Sequence, residues 1–172
     1  VQGLRDLGAA IAPASAWQLI QGIETLSLRI ERHVQNAQAV AEWLDDNDDV
    51  ASVNYSGLPS SPWYAQANKY APQGVGAVLS FELKGVVDAG AALVDSVTLF
   101  SHLANIGDVR SLIIHPASTT HSQLTPEQQL TSGVTPGLVR LSVGLENIDD
   151  IIADLSVGLA AARAVTRAAQ SA

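Results

Sequence analysis

Apolar residues recur at steps of three and four along the first part of the chain. The series consists of Leu19, Ile23, Leu26, Ile30, Val34, Ala37, Ala41 and Leu44. This spacing puts one apolar stripe on a helix, and Pro13 stands at a first-turn position that tolerates proline. The pattern therefore predicts a single helix over residues 14–44, which the acidic residues after it end. Such a helix is long for a small domain, so we expect part of its stripe to pack against something else.

Farther along, short apolar runs predict strands separated by polar turns and helices. We expect strands over residues 50–55, 74–83, 97–103, 111–114 and 138–143, with an irregular, proline-containing stretch over residues 57–72. Helices are predicted over residues 86–96, near Pro126, and after Asn147, where a helix would bury Ile151, Ile152, Leu155 and Leu159. This order predicts an α+β fold, in which a small antiparallel-rich sheet has helices packed on one face.

Composition and charge exclude several classes of protein. The net charge is −8 and the nine cationic residues do not cluster, which argues against a nucleic-acid partner. No apolar run approaches the roughly 18 residues that span a membrane. The chain has no cysteine, which rules out disulfides and thiolate metal sites and suits a cytoplasmic protein. The acidic run at 45–49 lacks the ligand spacing of a calcium-binding EF-hand and is interpreted as a solvated helix end.

No self-contained catalytic motif or metal site is apparent. His115 and His121 are six positions apart, which does not match a same-face helical zinc pair. The most unusual residue is Arg140, at the centre of the apolar run GLVRLSV. An arginine there either forms a structural ion pair or binds a planar carboxylate with two parallel hydrogen bonds. The pattern alone slightly favours the ion pair; Asn105 could add a neutral donor to a ligand site.

Two segments, SLIIHPASTTH and GLVRLSVGLENIDDIIADL, closely resemble the C-terminal part of the pyridoxal-phosphate-dependent Cys/Met metabolism enzymes. That family includes cystathionine synthases and lyases, methionine γ-lyases and O-acylhomoserine sulfhydrylases. GIETLSLRIERHVQNAQAVAEWL resembles its interdomain helix, and GVGAVLSFELKG resembles its small-domain strand. The resemblance implies that residues 1–46 are a linking segment with the long interdomain helix and that residues 47–172 are the small C-terminal domain of pyridoxal phosphate fold type I.

The resemblance also implies that the N-terminal cofactor domain, with its Schiff-base lysine, is not in this chain. Lys69 and Lys84 are the only lysines, and neither lies in the family's S-x-T-K setting. We therefore expect a fragment of a longer enzyme that contributes no catalytic residue, holds no metal, binds no pyridoxal phosphate by itself and is inactive alone. Family resemblance further implies a homo-oligomer, a tetramer in the full-length form.

By resemblance, Arg140 binds the α-carboxylate of the substrate. Ser111 and Thr120 either support that pocket or simply stabilise turns. The NIGD form that begins at Asn105 is similar to the O-acetylhomoserine sulfhydrylase branch, which joins sulfide to an O-acylhomoserine and makes homocysteine for methionine biosynthesis. Arg110 stands where enzymes that handle cystathionine often have an acidic residue. Alternatives are a cystathionine synthase, a lyase or a methionine γ-lyase, or, from another class, a stand-alone carboxylate-binding module. We expect Arg140 to face solvent or an anion at the edge that the cofactor domain would cover.

Overall fold

The computed structural model describes residues 1–8, 10–85 and 87–171. The helices described are α1 (Gln2–Leu7), α2 (Pro13–Glu24), α3 (Leu26–Asp45), α4 (Tyr64–Tyr70), α5 (Val87–Ser96), α6 (Pro126–Thr131) and α7 (Ile148–Gln170). The strands described are β1 (Val50–Asn54), β2 (Val78–Leu83), β3 (Ser101–His102), β4 (Leu112–Ile114) and β5 (Leu138–Ser142). No helix among these residues is both long enough and apolar enough to cross a membrane.

The strands form one sheet in the order β1-β2-β5-β4-β3. Neighbouring strands are antiparallel except for β3 and β4, which are parallel. The central strand is β5, where Arg140 is paired with Ser80 on one side and with Ile114 on the other. The α+β class and the antiparallel-rich sheet are therefore confirmed.

The core lies between one face of this sheet and the helices α3, α5 and α7. Successive side chains of a strand point to opposite faces, and the fully buried Val139 and Leu141 face the core. Phe81, which is paired with Val139, and Leu79, which is paired with Leu141, are buried on the same face. Burying each of these large side chains contributes roughly 1.5–3 kcal/mol to folding. Arg140 consequently belongs to the opposite face of the sheet.

The prediction of one helix over residues 14–44 is wrong, because the helix is interrupted at Thr25. This residue has φ −107° and ψ 7° and ends α2 before α3 begins. Gly22 and Thr25 are both poor helix formers, and no residue of α2 is buried, so tertiary packing does not enforce continuity. The guanidinium of Arg29 donates to the carbonyl of Gly22, one of the carbonyl groups that the interruption leaves without a helical partner.

The strand predicted over residues 97–103 is reduced to Ser101–His102. The backbone amides of Thr98, Leu99 and Phe100 instead donate to the carboxylate of Asp154 in α7, at 2.9–3.2 Å. These donors are therefore occupied by a helix side chain and are not free for a strand neighbour.

Two further differences concern the stretch between β1 and β2. The irregular stretch over residues 57–72 contains α4, a helix bounded on both sides by prolines. Strand β2 begins at Val78 and not at residue 74, because Gly74 and Gly76 have φ values of 133° and 84°, which a strand does not accommodate. A Cβ atom on Gly74 would clash with the side chain of Val34, so the backbone passes very close to α3, as the early glycines indicated.

The last helix, α7, follows its prediction closely. Asn147 precedes it, and its side chain accepts a hydrogen bond from the amide of Asp149 at 3.0 Å. Ile151, Leu155 and Leu159 are buried as expected, while Ile152 is only half-buried. Helix α7 packs against α5 and completes the layer that covers the core face of the sheet.

Candidate functional site

An open groove runs over the face of the sheet that the helices leave free. Its volume is about 580 Å³, and Ser80, Ile114 and Arg140 form its floor. One side is formed by residues 54–56 and Val75, and the other by the segment from Pro116 to Val134. The groove therefore lies where three strands meet two loops, and Arg140 stands at the middle of its floor.

Among the described residues, Arg140 is the only acidic or basic side chain other than histidine that lines this groove. Its side chain is half-buried and makes no ion pair or side-chain hydrogen bond with the described part of the chain. The ion pairs among described residues are Arg5 with Asp6 and Arg163 with Asp49. The ion pair that the pattern alone favoured is thus absent from the part of the chain that the structure describes. A positive groove on a chain of net charge −8 is electrostatically suited to an anion.

Thr120 and His121 line the side of the groove formed by the 116–134 segment. The Thr120 hydroxyl and His121 Nδ1 are 2.9 Å apart. Both backbone polar groups of His121 are hydrogen-bonded. Its amide donates to the carbonyl of Pro116 at 2.9 Å, and its carbonyl accepts from the Gln129 side chain at 2.9 Å. This side of the groove therefore offers a hydroxyl and an imidazole on a well-supported turn.

Sequence reasoning considered His121 as a metal ligand and as part of a hydrolase-like cluster with Thr120, and it missed the place of His121 beside Arg140. The described residues include no group of three or more histidines and acidic residues that could hold a metal ion. The available signal was the adjacency of Thr120, a predicted site residue, to His121 in the sequence.

Tyr55 lines the opposite side of the groove and was also missed. Its ring is buried and its hydroxyl donates to the carbonyl of Gly76 at 2.9 Å. Burial raises the pKa of Tyr55 to about 12, because a phenolate there would lose its hydration. Tyr55 is therefore a neutral residue that ties the end of β1 to the glycine-containing approach to β2.

The other two predicted site residues do not line the groove. Asn105 is exposed in the loop before β4, and its side-chain oxygen accepts a hydrogen bond from the amide of Ile106 at 2.8 Å. Ser111 is completely buried, and its hydroxyl donates to Glu146 at 2.9 Å and accepts from the amide of Gly144 at 2.8 Å. The structure thus brings Arg140 and Thr120 together and leaves Asn105 and Ser111 outside.

Neither lysine reaches the groove. Lys69 lies on α4, with its ammonium 4.9 Å from the centre of the Tyr70 ring. Lys84 follows β2 and lines a separate cavity with Asp48, Asp49 and Arg163. The groove residues fit the carboxylate end of an amino acid and include no amine that could form a Schiff base with an aldehyde cofactor. No residue of this chain is therefore assigned to hold such a cofactor.

The groove, its unpaired arginine and the α+β fold agree with the family that the chain matches. Residues 2–160 match the model of the family described as Cys/Met metabolism PLP-dependent enzyme. The chain belongs to this family.

Three relatives within the family are named as O-acetylhomoserine sulfhydrylases or as a homocysteine synthase. The chain is 58% identical over 160 residues to an O-acetyl-L-homoserine sulfhydrylase of Leptospira meyeri, covering 92% of this chain and 36% of that protein. It is 54% identical to O-acetyl-L-homoserine sulfhydrylase 1 of Thermus thermophilus, covering 93% of this chain and 38% of the relative. A homocysteine synthase of Schizosaccharomyces pombe is 51% identical, and the match covers 92% of this chain and 37% of that protein. The chain thus spans little more than a third of the length of these relatives.

A solved structure supports the same relationship. The crystal structure of a protein assigned as an O-acetylhomoserine (thiol)-lyase from Campylobacter jejuni superimposes with a TM-score of 0.81 at 48% sequence identity. The match covers 91% of this chain and 37% of that one. That protein contains N'-pyridoxyl-lysine-5'-monophosphate, a lysine linked to the cofactor.

Proposed function

We propose that this chain is the substrate-carboxylate-binding part of an O-acetylhomoserine sulfhydrylase. The reaction joins O-acetylhomoserine and hydrogen sulfide, and it releases homocysteine and acetate. The proposal rests on one observation above all, the unpaired guanidinium of Arg140 at the floor of an otherwise uncharged groove. The names of relatives that are 54–58% identical to the chain support this choice over a cystathionine synthase, a lyase or a methionine γ-lyase.

In this proposal Arg140 holds the α-carboxylate of the amino acid through two parallel, charge-assisted hydrogen bonds. The hydroxyl of Thr120 and the imidazole of His121 supply polar contacts from the adjacent side of the groove. Because β5 is hydrogen-bonded to strands on both sides, the arginine has a rigid base from which to orient the substrate.

Pyridoxal phosphate, when bound to the complete enzyme, supplies an electron sink for the substrate's reacting carbon atoms. This chain contributes orientation of the substrate, and its two lysines lie outside the groove. We therefore propose that the chain by itself is inactive and that the Schiff-base lysine belongs to another part of the enzyme. A cytoplasmic, homo-oligomeric enzyme fits this proposal, and the lack of cysteine suits a reducing compartment.

The test is kinetic and uses the complete enzyme loaded with pyridoxal phosphate. Arg140→Ala should raise the KM for O-acetylhomoserine by about ten- to a hundredfold, because a charge-assisted contact contributes roughly 1.5–3 kcal/mol. Arg140→Lys should restore only part of this loss, since an ammonium cannot form the two-pronged contact. The KM for sulfide, which has no carboxylate, should change little.

Arg167→Ala is the matched control, because Arg167 is exposed and lies outside the groove. It should leave both KM values unchanged. An unaltered KM for O-acetylhomoserine in Arg140→Ala would remove Arg140 from the site. A wild-type enzyme that acts on cystathionine and does not use sulfide would contradict the sulfhydrylase proposal itself.

A further inference from the structure

The loop that contains Asn105 and the turn that follows β5 are joined by a compact set of hydrogen bonds. The carboxylate of Glu146 accepts two hydrogen bonds from Ser111, one from its backbone amide at 2.7 Å and one from its hydroxyl at 2.9 Å. The same hydroxyl accepts a hydrogen bond from the backbone amide of Gly144 at 2.8 Å. We refer to Ser111, Gly144 and Glu146 as the joint.

The joint is built for close approach of two backbones. A Cβ atom on Gly144 would clash with the amide nitrogen of Ser111 and with the Glu146 carboxylate, so glycine is required at this point. Ser111 is completely buried and Glu146 is half-buried. Glu146 forms no ion pair within the described part of the chain, so Ser111 supplies both of its hydrogen-bond donors.

Helix α3 holds the same turn from the other side. The side-chain amide of Asn36 donates to the backbone carbonyl of Gly144 at 3.0 Å and to that of Glu146 at 2.9 Å. His33 Nδ1 lies 2.6 Å from the carbonyl of Val143, and since a carbonyl only accepts, this nitrogen is the one that donates. Both α3 residues are buried. The turn is thus held between α3 and Ser111 and provides a firm base for the loop.

The loop in turn borders the space beside Arg140. A smaller cavity of about 230 Å³ is lined by Ile106 and Gly107 from the loop and by Ser142, which follows Arg140 by two positions on the same face of β5. Val75 and Val78 line both this cavity and the groove. The loop and Arg140 therefore flank adjoining spaces, and a shift of the loop changes one boundary of the region where a substrate would lie.

We propose that Glu146 is a positioning residue that holds the 105–110 loop at a set distance from Arg140. This inference rests on the proposed function for its kinetic consequence. Apart from the joint, one backbone hydrogen bond among the described residues ties the loop to the turn: the amide of Leu145 donates to the carbonyl of Val109 at 2.9 Å. The joint therefore provides most of the hydrogen bonds that set the end of the loop against the end of β5, and the loop moves when Glu146 releases Ser111.

The experiment compares Glu146→Gln and Ser111→Ala with Glu127→Gln as the matched control. Glutamine at 146 has one acceptor oxygen in place of two, so one Ser111 donor loses its partner. Glu127 is an exposed carboxylate on α6 whose side chain makes no hydrogen bond to a described residue. The first readout is amide hydrogen exchange of the complete enzyme, followed at residues 105–111 and 143–146 and, for comparison, in β2 and α7.

Both joint variants should accelerate exchange at the loop and the turn by at least about tenfold while β2 and α7 stay as in the wild type. Acceleration spread through β2 and α7 would mean that the joint only stabilises the fold, and unchanged exchange would mean that it does not hold the loop. Either result would overturn the inference.

The second readout is kinetic. Glu146→Gln should raise the KM for O-acetylhomoserine roughly tenfold, with kcat changed much less, because the loop helps to bind the substrate and takes no part in the chemical step. A fall in kcat with an unchanged KM would count against positioning. If the wild type does not use O-acetylhomoserine and sulfide, the proposed function fails by itself, and the exchange pattern still decides whether the joint holds the loop.

Discussion

Tyr55 shows how one residue at the edge of the groove links burial to pH. Tyr55 is 2% exposed, and its hydroxyl donates a hydrogen bond to the carbonyl of Gly76. A phenolate would be poorly hydrated there and could no longer donate this bond. Burial therefore favours the protonated form in the folded protein, and the pKa rises from 10.0 to about 12.

We expect Tyr55 to make stability fall at high pH. Its folded-state pKa is higher than its unfolded-state pKa, so its contribution is complete below pH 10 and is lost as pH rises toward 12. The free energy of unfolding should therefore decrease by about 1 kcal/mol between pH 9 and pH 11 from this group alone. This change in the free energy of unfolding is measured by denaturant unfolding of the wild type and of Tyr55→Phe at both pH values.

Tyr55→Phe removes the titrating group and keeps the ring. The wild type should therefore lose about 1 kcal/mol of unfolding free energy relative to this variant as pH rises from 9 to 11. Other titrating groups are common to both proteins and cancel in the difference. A difference that stays constant from pH 9 to pH 11 would contradict the assignment to Tyr55.

At the level of elements, α5 approaches the loop after β4 through a glycine. A Cβ atom on Gly90 would lie 2.5 Å from the ring of His115. That ring cannot easily move, because it is fully buried and held at both nitrogens, by Ser118 and by the carbonyl of Pro136, at 2.8 Å each. The glycine is thus needed for packing, despite its cost to the helix.

Replacing Gly90 with alanine should therefore destabilise the protein. The clash with His115 is expected to cost about 1–3 kcal/mol, which exceeds the gain of up to roughly 1 kcal/mol in helix propensity. Gly22→Ala in α2 is the matched control, since no described atom other than those of its chain neighbours and the local helix backbone lies within 4 Å of its Cβ position. It should increase the helix content and leave the midpoint of thermal unfolding the same or slightly higher. Equal effects of the two substitutions would mean that α5 can shift away from His115.

For the whole molecule, the outstanding feature is the apolar surface of the N-terminal segment. No described residue before His33 is buried, although this part contains Trp17, Ile20 and Ile23, which are 63%, 54% and 66% exposed. Residues at steps of three lie along one side of a helix, so the three side chains form a stripe on α2. The long first helix was expected to leave part of its apolar stripe for another surface, and the exposed side chains agree with this expectation.

The 172-residue chain, when produced by itself, should bind a hydrophobic dye or associate with itself through this stripe. The double variant Trp17→Ser/Ile23→Ser should reduce dye fluorescence and shift the chain toward the monomer in sedimentation. Leu130→Ser is the matched control, because Leu130 is a similarly exposed residue, 56%, on a different helix. Dye binding and sedimentation identical in the wild type and the double variant would mean that the stripe is not the interacting surface.

The sequence alone predicted the elements that depend on local pattern. The strand around Arg140, the helix after Asn147 and the buried face of that helix follow from residues within a few positions of one another. The motif around Arg140 also pointed to the family to which the chain belongs. The break at Thr25 was missed because the apolar stripe continues across it, and the stripe alone does not reveal whether anything packs on it.

Only the tertiary structure decided which polar residues meet. Thr120 and His121 reach the groove of Arg140 because the sheet places β4 beside β5. Ser111 was expected either to support the substrate pocket or to stabilise a turn, and its hydroxyl donates to Glu146, thirty-five positions away. Asp154 takes the amides that would have extended a strand. Local periodicity determines which face of an element is apolar, whereas hydrogen bonds between distant segments depend on how the elements pack, and no short stretch of sequence contains that information.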